Sequence, residues 1–124
     1  MGCCGWQEVD RPPTTPPQLA AGVRIVQRHR AGAEADLTAA TGGASLCRTD
    51  GAPDAKRAEG ALVALAQLHR AATRSPHDDP TESARRLLDT WVAERAAVEG
   101  MGRDWRDYRD GGVAALRSVL DDLT

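Results

Sequence analysis

Phenylalanine and asparagine are absent from the chain, isoleucine and lysine occur once each (Ile25, Lys56), and the aromatics are limited to Trp6, Trp91, Trp105 and Tyr108. A core built without phenylalanine has to be filled by Leu, Val and Ala. So few rings also exclude a basic face interleaved with base-stacking aromatics. Cysteine is scarce as well. Cys3, Cys4 and Cys47 form no C-x-x-C pair and are odd in number, which argues against zinc, an iron–sulfur cluster or a disulfide framework. Long apolar runs are missing too: nothing approaches the ~18 residues of a membrane span or the ~7 of a secretory leader core. The opening MGCCGW places Trp6 where N-myristoylation wants Ser or Thr. Cys3 and Cys4 therefore read as reduced thiols in the tail of a cytoplasmic protein.

What is present is alanine, arginine and charge. The 124 residues include 22 Ala and 15 Arg, are 41% apolar and carry a net charge of −2. That composition is the mark of codon pressure in a GC-rich genome of the actinobacterial type. The length suits one domain. Residues 11–17, RPPTTPP, hold four of the seven prolines and favour extended backbone. We read 1–17 as a disordered Pro-rich tail and 18–124 as a helical bundle domain.

From Gln18 onward the apolar periodicity is helical. Leu19, Val23, Val26, Ala33 and Leu37 recur on one face, and TGGASLCRTDGAP then breaks the pattern with Gly and Pro punctuation. Ala58, Leu62, Leu65 and Ala72 mark a second helix over about 54–74. A third opens with Asp79 as N-cap, Pro80 at the first position and Glu82 in a capping-box place, and carries Ala84, Leu87, Leu88, Trp91, Val92 and Val98. After Gly100-Met101-Gly102, the last stripe is Trp105, Tyr108, Val113, Leu116, Leu120 and Leu123. No segment alternates with period two. The expectation is an all-α, small antiparallel bundle of three to four helices. In it, helices three and four form a hairpin with helices one and two on its apolar face, and Trp91 and Trp105 are both core.

Motifs for chemistry are thin. TGGASLC resembles the G-G-x-S-L attachment motif of peptidyl carrier proteins, with Ser45 in the serine position. In that family the serine opens a helix at once, whereas Cys47-Arg-Thr-Asp-Gly follows here. His77, Asp78 and Asp79 are consecutive loop residues, a poor geometry for converging on a metal. RIVQRHR gathers Arg24, Arg28, His29 and Arg30, but a net-acidic chain with no aromatic platform favours a solvated helix face over a nucleic-acid surface.

One pattern stands out. Turning each stripe inward leaves a cationic or titratable residue inside it: Arg30, His69, Arg95 and Arg109. Trp91 with Arg95 and Trp105 with Arg109 share i,i+4 spacing, which lets a guanidinium lie over an indole for ~0.5 to 1 kcal/mol. The arginines either snorkel to water along their methylenes or line a shallow cationic cavity, so these four are candidate contacts for an anion or an acidic partner. No catalytic, cofactor or metal residues are assigned and no cofactor is expected. The functional expectation is a non-enzymatic accessory protein acting by protein–protein contact, self-association included, with no membrane attachment. The alternatives are a nucleic-acid-associated regulator and a helical module binding an anionic small molecule.

Overall fold

A computed structural model describes residues 17–42, 53–75 and 79–124, with side chains from Ala21, Asp54 and Asp79 onward. Residues 1–16 of the expected tail, Ser45, Cys47, His77 and Asp78 lie outside the described residues, and Pro17, placed in that tail from the sequence, opens the first helix. The chain is an all-α bundle of helices α1 (Pro17–Thr41), α2 (Pro53–Arg74), α3 (Pro80–Ala97) and α4 (Arg103–Leu123).

Local chemistry sets the helix ends. α1 stops at Gly42, whose φ of 59° is the left-handed conformation that glycine supplies after a helix. α2 carries Asp54 in its first turn and Arg74 in its last, each opposing the partial charge of its helix end. Asp79 caps α3 as expected, its Oδ1 accepting from the Thr81 N–H at 2.9 Å, with Pro80 immediately following. Glu82 lies 3.9 Å from Arg85.

The core draws Val26 and Ala33 from α1, Ala64, Leu65 and Leu68 from α2, Ala84 and Trp91 from α3, and Val113, Leu116 and Val119 from α4. Ala58 and Ala72 are buried on the α2 stripe as read from the sequence, and Val119 is buried on α4 unforeseen. α3 and α4 form the antiparallel hairpin as expected and α2 packs on it; α1 lies mainly on α2 rather than on the hairpin, and the most extensive interface is between α2 and α4. Glycine is the reason. A Cβ on Gly60 would stand 1.8 Å from the Tyr108 carbonyl oxygen, and one on Gly111 would stand 2.0 Å from the Arg57 carbonyl oxygen. The two backbones therefore touch directly, closer than Leu-lined faces permit.

Two large stripe residues are exposed. Trp105 is 52% exposed and Val92 is 41% exposed. Trp105 stands in the first turn of α4, beside the turn where α3 has already ended, and meets Tyr108 edge-on with ring centroids 6.5 Å apart. Val92 follows Trp91 by one residue, a rotation of about 100° around the helix, and only Trp91 turns toward α4. Trp91 fills the space left by Gly112, where a Cβ would lie 2.3 Å from its ring carbons.

Candidate functional site

The candidate cations fall into two separate pairs. On α1 and α2, Arg30 Nη1 donates to His69 Nδ1 at 3.2 Å, and Arg30 Nε lies 3.6 Å from Glu34 Oε1. Arginine has only donors, so this bond requires His69 to accept at Nδ1. The opposite ring nitrogen, Nε2, is buried and makes no hydrogen bond among the described residues.

On α3 and α4 the arrangement is a crossed ladder. Arg95 Nε donates to Asp110 Oδ1 at 2.6 Å and its Nη1 to Glu99, while Arg109 Nη1 donates to Glu94. Successive residues Glu94-Arg95 on one helix thus meet Arg109-Asp110 on the other, each acid on a base. Hydrogen bonds to Glu99 and then Asp110 raise the Arg95 pKa further above its ordinary value. No bond links this ladder to the Arg30–His69 pair among the described residues. Arg95 and Arg109 already hold carboxylates, so the counter-ions that a cationic cavity would recruit are supplied by the fold itself.

The ring contacts also run across the hairpin. The Arg109 guanidinium lies 4.8 Å from the Trp91 centroid and 5.2 Å from that of its neighbour Tyr108, not over Trp105 as the i,i+4 spacing suggested. Trp91 and Tyr108 approach to 5.5 Å, and Trp91 Nε1 donates to Gln67 Oε1 at 2.9 Å. The Trp91 indole is thereby held by groups from two other helices.

Tyr108 is the single tyrosine, and burial foremost pushes its hydroxyl above the ordinary value of 10.0, against the opposing pull of the Arg109 charge. A phenol that keeps its proton longer folded than unfolded adds stability present below the unfolded value and lost as pH rises through the folded one. The tyrosinate absorbance of the native chain should therefore appear at higher pH than in the denatured chain, with stability falling alkaline of 10.0. A native midpoint at or below the denatured one contradicts this.

Sequence reasoning missed Asp107, a buried carboxylate 3.9 Å from Arg103. Its signals were the i,i+4 spacing from Arg103 and a place one turn before Gly111 on the face turned to α2. It also missed the Gln67 acceptor, which nothing in the local pattern marks. Among the described residues there is no group of three His, Cys, Asp or Glu able to hold a metal ion, and no helix long and apolar enough to cross a membrane.

Two surface features remain. Met101 in the α3–α4 turn is 50% exposed and, with Trp105, sets large apolar surface at one corner of the bundle. A groove of about 920 Å³ runs between α1, α2 and α4, floored by small residues such as Gly32, Ala58 and Ala114 and bordered by Arg28, Asp36 and Arg57. None of Arg30, His69, Arg95 or Arg109 lines it. Comparison of the chain with protein-family models, with curated proteins and with solved structures finds no match in any of them.

Proposed function

We propose that the chain is a non-enzymatic helical accessory protein that acts by protein–protein contact, with Trp105 and Met101 as the anchor of its contact surface. The observation that carries this reading is the division between its two domain tryptophans: Trp91 is 1% exposed and Trp105 is 52% exposed. Trp is the side chain most enriched where interfaces concentrate their binding energy, because it brings a large rigid apolar body at low entropic cost. The electrostatics favour the same choice over the alternatives. Two of the three arginines along RDWRDYRD are committed to carboxylates, Arg103 to Asp107 and Arg109 to Glu94, so this stretch does not present a run of free cations to phosphates. A cytoplasmic location belongs to this proposal and rests on reading the cysteines as reduced thiols.

The test uses Trp105→Ala. Stability should stay within about 1 kcal/mol of wild type, since the lost ring is half in water. Immobilised wild type should retain a partner from a lysate of the source cells that Trp105→Ala releases and that an Arg117→Ala control keeps. Identical retained sets for the three would refute the anchor. Retention on heparin that falls steeply with salt would move the reading to nucleic acid, and a phosphate-induced rise in Tm would move it to an anion site.

A further inference from the structure

The middle of α1 carries a charge order that inverts about one glycine. In RHRAGAEAD, residues 28–36, Arg28, His29 and Arg30 precede Gly32, and Glu34 and Asp36 follow it. These side chains do not share one face. Arg30 turns to His69 and pairs with Glu34 along its own helix, and His29 bonds Asp122 at 2.6 Å. Arg28 and Asp36 do neither. Both are exposed, both border the groove, and neither enters an ion pair among the described residues.

Their placement is symmetric. Arg28 and Asp36 stand four residues before and after Gly32, and Ile25 and Ala39 stand seven before and after it. Spacings of 3, 4, 4 and 3 put all of them on one stripe of the helix. At its centre a Cβ on Gly32 would meet nothing within 4 Å, so the backbone is open to close approach. Ile25 is half-buried and Ala39 exposed, leaving apolar surface at both ends of the stripe.

A face of this kind complements itself under one operation only. A two-fold axis through Gly32, perpendicular to the helix, lays a second α1 antiparallel on the first. Each Arg28 then faces the other copy's Asp36, each Ile25 meets the other Ala39, and the two Gly32 backbones close without side chains between them. An isologous interface has to match its own surface patch, which a stripe of one charge sign cannot do. We propose that a second copy of this chain docks along α1 about a two-fold axis at Gly32, with Arg28 and Asp36 setting register and orientation. The proposal goes beyond the contact surface at Trp105, which lies on other elements and stays free for a different partner. Exposed charge pairs contribute more to orientation than to affinity, so the dimer should be weak and salt-sensitive.

The experiment measures mass by sedimentation from ~1 µM to ~1 mM of the full chain, the range of weak association. Wild type should climb from 13.2 kDa toward twice that mass. Arg28→Asp or Asp36→Arg alone sets like charges face to face and should weaken association at least about tenfold, while the combined reversal, which restores opposite charges, recovers it. Both sites are exposed, and unchanged far-ultraviolet ellipticity confirms that each variant is folded. A wild type that stays at 13.2 kDa throughout overturns the proposal. So do single reversals that associate like wild type, or a folded double variant that does not recover. Association lost in Trp105→Ala but kept in Arg28→Asp would assign self-contact to the α3–α4 corner and overturn it equally.

Discussion

Trp91→Ala should lower the stability of the bundle by ~3 to 5 kcal/mol, the cost of emptying a fully buried large side chain. The ring is 1% exposed and is the largest fully buried side chain among the described residues. Its removal would leave the hollow over Gly112 unfilled and withdraw the donor from Gln67 Oε1. It would also take away the ring against which the Arg109 guanidinium rests. Domains of this size have only ~5 to 15 kcal/mol in total, so the variant should be partly unfolded near body temperature. Denaturant unfolding followed by ellipticity measures the effect. A loss below about 1 kcal/mol would mean that Trp91 does not organise the core, and the contrast with Trp105 would collapse.

Gly60→Ala and Gly111→Ala should be damaging although alanine is the better helix former. In an open helix the exchange gains up to ~1 kcal/mol. Here each added methyl would sit about 2 Å from a carbonyl oxygen of the facing helix, 1.8 Å at Gly60 and 2.0 Å at Gly111. Backbone does not swing aside as a side chain can, so α2 and α4 must separate and loosen every contact along the interface. Overpacking costs ~1 to 3 kcal/mol where side chains adjust, and a collision with main chain should exceed that range even after the gain in propensity. Gly32→Ala is the matched control: its methyl meets nothing within 4 Å, so in dilute solution it should stabilise the fold by ~0.5 to 1 kcal/mol. If all three changes behave alike, the close crossing of α2 and α4 is not a feature of the protein.

These variants mark where the sequence was legible. The helix ends could be read because they rest on local chemistry: Asp79 before Pro80 caps α3 whatever packs on it. The apolar periodicity likewise identified Val26, Leu65, Trp91 and Leu116 as core. The hairpin was legible from its short turn, but not that α2 would close onto the α4 backbone or that α1 would rest on α2, because an Ala and Leu stripe suits any partner and the close approach fell to Gly60 and Gly111, whose effect exists only across the interface. Trp105 was misplaced for a related reason. Periodicity tells which side of a helix faces inward, not whether another helix is still present at that height, and α3 has ended where Trp105 begins. The candidate cations were recognised as anomalous in their stripes, but the carboxylates that Arg95 and Arg109 meet across the hairpin, Asp110 and Glu94, each 15 residues away, had no local signature.

The ladder between α3 and α4 also acts as a ruler. Stripes of alanine and leucine are nearly periodic, so by apolar contact alone α4 could slide along α3 by one turn at small cost. Such a slip would carry Asp110 away from Arg95 and bring Arg106 to it, base against base, and would set Tyr108 in place of Gly112 against the Trp91 ring. Alignment of the hairpin is thus written in one order of charges and one missing side chain. A change in the length of the 98–102 turn should leave the alignment intact and strain the turn instead.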